Sequence, residues 1–136
     1  MPQWSLSAKN AIAYAILGEM QSGLGGDASI LARDGGGVLL ATFGLQPVTE
    51  GTVDPATAVL TLNIATQETN APAAGLVATV DIVDRAGNPV RTGIPAVKGD
   101  APVVGRVVFT SLVVTLGGSV SLVSASMRFA PQGGNV

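Results

Sequence analysis

The sequence predicts a mainly β domain, a two-sheet β-sandwich or jelly roll, preceded by one N-terminal α-helix. Three observations predict it. Apolar residues recur at helical spacing before Gln21, they recur at alternate positions from Asp27 onward, and the alternating runs are separated by clusters of Gly, Pro, Asn and Asp. Helices bury side chains three and four apart and strands bury every second one, so the switch near Asp27 marks where one kind of structure gives way to the other.

The helix is expected over about residues 5–22. Ser5 or Ser7 can accept an orphan N–H of the first turn. Ile12, Ile16 and Met20 form a stripe that Ala13 and Leu17 widen, and Gly23, Gly25 and Gly26 end it. Only Lys9, Asn10, Glu19 and Gln21 are strongly polar, so both helix faces are expected to find apolar neighbours. The β region is expected over residues 27–130. Ala28 to Arg33 and Gly37 to Leu45 flank Asp34-Gly35-Gly36, a hairpin turn in which glycine takes positive φ without a Cβ clash. Ala58 to Ala65 places Leu60, Leu62 and Ile64 on one face. Gly75 to Val83 does the same for Leu76, Ala78, Val80 and Ile82.

Asp84-Arg85-Ala86-Gly87-Asn88-Pro89 reads as the next tight turn, leading into a short strand at Val90 to Gly93. Pro89 and Pro95 place that strand at a sheet edge, because proline has no N–H for a ladder. Val103 to Thr110, Ser111 to Leu116 and Ser119 to Phe129 complete seven or eight strands. In the last run Val120 and Leu122 alternate with serine, and then Val123, Ala125, Met127 and Phe129 do. A bulge near Leu122 and Val123 would return both halves to the core. Loops are expected at 46–57, 66–74 and 94–102, and residues 131–136 read as a C-terminal tail. The expected core contains Ile16, Leu40, Leu62, Val80, Ile82, Phe109, Leu122 and Met127.

With 136 residues the chain is the size of one domain with one core. Charged residues make up 12% of it, about half the roughly 25% usual for soluble domains, while apolar residues reach 47%. So neutral a surface favours association, and cover by partner subunits accounts for it. Seven basic residues against nine acidic ones, scattered along the chain, leave no footprint for nucleic acid. The longest apolar stretch in the helix, Ala11 to Leu17, is far short of the roughly 18 residues a membrane span needs. A mean hydropathy of +0.49 therefore reflects core and interface. No nucleic-acid or membrane partner is expected. The absence of cysteine fits maturation in a reducing cytoplasm.

Chemistry is excluded by inventory. Without histidine or cysteine, hydrolytic triads, thiol nucleophiles and the usual transition-metal sites lack their parts. The carboxylates nearest in sequence, Asp81 with Asp84 and Glu50 with Asp54, could do acid–base work. Asp84 and Asp54 nevertheless start turns, where a carboxylate bonds backbone N–H groups, and that role is favoured. The glycine clusters lack the Gly-Lys-Ser or Gly-Lys-Thr of a phosphate loop. Serines 119, 121, 124 and 126 form the polar side of a strand. No catalytic residue, metal or cofactor is expected. The phenylalanines read as core, whereas Trp4 and Tyr14 combine a large apolar body with a polar tip and are candidate interface residues. The tail ending at Val136 joins them, since a Gly133-Gly134 pair loses much entropy on ordering and a neighbouring subunit would have to hold it.

The order of several short motifs completes the reading. Lys9-Asn10-Ala11-Ile12 opens an alanine-rich helix, and Gly37-Val38-Leu39-Leu40-Ala41-Thr42 follows. Next come Asp81-Ile82-Val83-Asp84, Gly87, Val90 and Gly93, then Gly117-Gly118-Ser119-Val120-Ser121-Leu122. This arrangement resembles the small structural proteins encoded in tailed-bacteriophage and prophage morphogenesis regions. The resemblance implies a virion component present in many copies, assembled in the host cytoplasm. A head decoration or cement protein contacting itself and the major capsid protein is the leading expectation. A neck, collar or tail part is the alternative within that class. A virion-surface receptor- or glycan-binding module is the alternative outside it.

Overall fold

A computed structural model describes residues 5–21, 23, 28–46 and 50–128. The chain is mainly β, with one N-terminal helix and a large curled sheet. Helix α1 spans Leu6–Met20. Eleven strands follow among the described residues: β1 Ser29–Arg33, β2 Leu39–Leu45, β3 Gly51–Asp54, β4 Val59–Leu62, β5 Ile64–Thr66, β6 Gly75–Leu76, β7 Thr79–Val83, β8 Pro89–Lys98, β9 Val107–Phe109, β10 Val113–Val114 and β11 Leu122–Met127.

Nine strands form one sheet in the order β3-β4-β11-β9-β8-β7-β1-β2-β5, and β6 with β10 makes a separate ribbon. The two ends of the large sheet meet along one piece of chain. β4 and β5 are separated only by Asn63, whose N–H donates to the Glu50 carbonyl at 2.8 Å while its own carbonyl accepts from the Gln46 N–H at 2.8 Å. β2 and β3 thus lie along one continuous stretch, 59–66, and the pairings run round in a ring. Every pairing in it is antiparallel except β8 with β9, which is parallel. Closing a sheet on itself removes most of the unpaired edge that would otherwise invite aggregation.

The ring encloses a core that includes Leu40, Phe43, Leu60, Val80, Ile82, Phe109, Leu122 and Met127. Phe43 on β2 and Phe109 on β9 meet edge-on, with centroids 5.7 Å apart and planes at 66°. Such contacts add about 0.5–1.5 kcal/mol beyond the burial of the rings. Of the residues expected in the core, all are buried except Ile16, which is half-buried and packs against it.

α1 forms because Ser5 caps it, its hydroxyl accepting from the Ala8 N–H at 3.1 Å. It lies against β3, β4 and β8. Ala13 and Met20 are fully buried and Ile12, Ile16 and Leu17 partly so, which is the stripe the sequence shows. Asn10 Nδ2 reaches the Pro55 carbonyl at 2.9 Å. Beyond the helix, Gly23 takes φ +102°, and a Cβ there would sit 2.7 Å from Ala86, so the chain leaves the helix against the β7–β8 turn.

Several expected elements differ. The loop expected over 46–57 contains β3, which alternation over four residues was too short to reveal. The strand expected at 58–65 is divided at Asn63. The run 75–83 breaks after Leu76, where Val77 bonds to Leu112 and turns inward. Leu76 and Ala78 are exposed rather than in the core, and Val77 is buried. The runs 103–110 and 111–116 contribute only β9 and β10. β8 is ten residues long and lies between β7 and β9, not at an edge. Its prolines fit because β9 pairs only with Ala96, Val97 and Lys98, leaving the stretch from Pro89 to Pro95 open on that side. The expected bulge in the last strand is present as a register shift between Leu122 and Ser124.

Candidate interaction surface

Five of the nine carboxylates are engaged in structure. Asp34 Oδ1 accepts from the N–H groups of Gly36 and Val38, both at 2.9 Å, and Asp84 Oδ1 does the same for Ala86 and Asn88. Asp54 Oδ1 accepts from Ala56 at 3.0 Å in the β3–β4 turn. Asp81 pairs with Arg33 at 2.8 Å across β1 and β7 and also accepts from the Gly93 N–H at 3.0 Å. The carboxylate pairs singled out in the sequence are therefore tied into turns and ladders. Among the described residues no three His, Cys, Asp or Glu gather as a metal site.

Glu50 is the most buried of these acids, at 0% exposure. Arg85 grips it with two bonds, Nε to Oε2 at 2.6 Å and Nη2 to Oε1 at 3.1 Å. Burial alone would raise the Glu50 carboxyl. The Arg85 hydrogen bonds, a backbone hydrogen bond, the guanidinium charge and the Gln21 side chain together outweigh it and hold the carboxyl below its ordinary value. This pair ties the β7–β8 turn to the start of β3 and the end of α1.

Besides Val103 and Val104 in the β8–β9 loop, exposed apolar groups mark two surfaces. On α1, Tyr14 is 55% exposed and Leu6 46% exposed, with Ala11, Ala15 and Gly18 also on the outer side. Trp4 and Val136, the other candidate interface residues, lie outside the described residues, as does the tail 131–136. The second surface was not visible in the sequence. In the β6–β10 ribbon Leu76 stands directly opposite Val113, and the two are 60% and 67% exposed. Period two explains this: the adjacent Val77 and Val114 face inward and are buried, so their neighbours face out. Leu116, just past β10, is the most exposed large apolar side chain among the described residues, at 72%. The ribbon also abuts the β1–β2 turn, since a Cβ on Gly75 would meet Leu40 at 3.1 Å and the Asp34 Cβ at 3.7 Å. That turn carries Val38, also exposed.

An open groove of about 510 Å³ runs between the Thr61–Ile64 stretch and β11, lined also by Gln46, Gln67 and Val123. It opens where the β4–β11 ladder, which pairs Thr61 with Ser126 and Leu60 with Met127, stops. Gln67 bridges the far end with its carboxamide, accepting from the Leu122 N–H at 2.8 Å and donating to the Leu122 carbonyl at 3.1 Å. Among the described residues no helix is long and apolar enough to cross a membrane. Compared with known protein families, curated proteins and solved structures, the chain matches none.

Proposed function

We propose that this chain is a non-enzymatic structural protein of a bacteriophage virion, a capsid decoration or cement protein that stabilises the head through contacts with itself and with the major capsid protein. The observation that carries this reading is the outward-facing Leu76–Val113 pair with Leu116 beside it, on a chain with only 12% charged residues. Such side chains cost free energy in water and regain about 25 cal/mol for each Å² a neighbour covers. The engagement of Asp34, Glu50, Asp54, Asp81 and Asp84 in structure supports a scaffold over a catalyst. We read the ring as flattened into two opposed layers, as in a β-sandwich or jelly roll. The contact of Phe43 with Phe109, from strands on opposite sides of the ring, supports that reading.

Sedimentation of the full chain tests the association. Wild type is expected to self-associate in a concentration-dependent way, and Val113→Asp is expected to sediment as a monomer with unchanged circular dichroism. A wild-type monomer at all concentrations, together with absence of the chain from purified virions by mass spectrometry, would overturn the proposal.

A further inference from the structure

Of the seven basic residues of this sparsely charged protein, Arg91 and Arg106 line one small cavity and Arg128 lies against Gly105 on its wall. Where β9 begins, the proline-bearing half of β8 has no strand on its β9 side, and a cavity of about 60 Å³ remains. Arg91, Ile94 and Pro95 of β8 line it with Gly105 and Arg106 of the preceding loop and Ser126 and Met127 of β11. Arg128 folds over Gly105, its Cγ and Nε lying 3.1 and 3.5 Å from where a Cβ would stand. Gly105 can hold this corner because its φ is +78°.

None of the three arginines has a carboxylate partner among the described residues, whereas Arg33 and Arg85 are both paired. Ser126 supplies a second, independent feature. It is only 8% exposed and lines the cavity, and its hydroxyl oxygen accepts from the Gly105 N–H at 2.8 Å. A hydroxyl that accepts one bond can still donate its own proton, and guanidinium forks match the planar or tetrahedral oxygens of small anions. Size narrows the ligand. One water needs roughly 10–15 Å³ of such space, so the cavity holds a few waters or one small oxyanion, and no nucleotide or sugar fits.

We propose that this notch binds a single oxyanion, a carboxylate or a phosphate, between Arg91, Arg106 and Arg128 with the Ser126 hydroxyl as the inner donor. The test is a nitrogen-15 NMR titration of the full chain with sodium phosphate and with sodium acetate, against sodium chloride at matched ionic strength. Saturable shifts at Gly105 and Ser126 are expected with at least one of the two oxyanions and not with chloride. Arg106→Gln and Arg128→Gln, both at exposed positions, should each weaken binding about tenfold, while Lys98→Gln should leave it unchanged. Tighter phosphate than acetate assigns the notch to a phosphate, and equal or tighter acetate assigns it to an acidic side chain of a neighbouring protein. Unsaturable shifts that match chloride would overturn the proposal, as would wild-type affinity in both arginine variants.

Discussion

Aspartate shapes the hairpin turns. Asp34 and Asp84 open turns of the same design, in which the side chain accepts two N–H groups, the backbone carbonyl accepts from the residue three on, and that residue is a glycine at φ +89° or +87°. Around both Gly37 and Gly87 a Cβ would meet nothing within 4 Å, so only backbone conformation demands glycine there. Gly37→Ala and Gly87→Ala are therefore expected to cost a similar amount, about 1–2 kcal/mol each, in urea melts. Sequence alone showed the aspartate–glycine signal at both turns, because turn chemistry is local. It did not show Arg85 gripping Glu50 from 35 positions away, because long-range ion pairs leave no spacing to read. Removing Arg85 leaves a buried carboxylate unpaired, and Arg85→Ala should lower stability by about 3 kcal/mol at neutral pH. The sign with pH follows from the depressed Glu50 carboxyl. The unfolded state takes up its proton first, so the pair's contribution is complete above the ordinary glutamate value of 4.5 and fades as pH falls through the lower folded value. The deficit of Arg85→Ala should accordingly narrow in urea melts on acidification below that value; a constant deficit would show that Glu50 is not its source.

Among the elements, α1 was the most legible, since its stripe spans several turns and Ser5 and Gly23 punctuate it. β11 was legible down to its bulge, because the slip of apolar phase from Leu122 to Val123 has one physical remedy. β8 was misread as a short edge strand. Its prolines were interpreted correctly for the stretch that carries them, but Ala96 to Lys98 continue the same strand and pair with β9. β6 and β10 were hidden because two-residue strands are too short to display a period. Gln67 offered no signal at all: its carboxamide replaces a backbone rung across the groove, a role any polar residue could be imagined to avoid. Gln67→Ala removes both of these bonds to Leu122 and should cost about 1–3 kcal/mol. Hydrogen exchange should show the Leu122 amide opening faster in that variant than the amides of β1 and β7, which the change does not touch.

At the scale of the molecule, the sequence conveyed class, helix and core, and the ring closure came only with the structure. Closure depends on β2 and β3 sharing one partner stretch across Asn63, a pairing of segments that no local pattern encodes. The candidate interaction surface was half legible. Tyr14, the interface candidate of the helix, is exposed, while Leu76, read on one strand face with Val80 and Ile82, instead faces out beside Val113. The three arginines of the notch looked scattered because they come from β8, the β8–β9 loop and the end of β11. Leu76→Ser and Val113→Ser remove outward-facing apolar groups without touching the core. Each should leave thermal stability of the isolated chain within about 0.5 kcal/mol of wild type while lowering its copy number on particles. The most direct measurement of the central claim is a cryo-electron microscopy density map of the virion. The chain is expected there in many symmetric copies on the head, with Leu76, Val113 and Leu116 covered by a neighbouring subunit. A map that lacks the chain, or that shows it with all three side chains open to solvent, would contradict it.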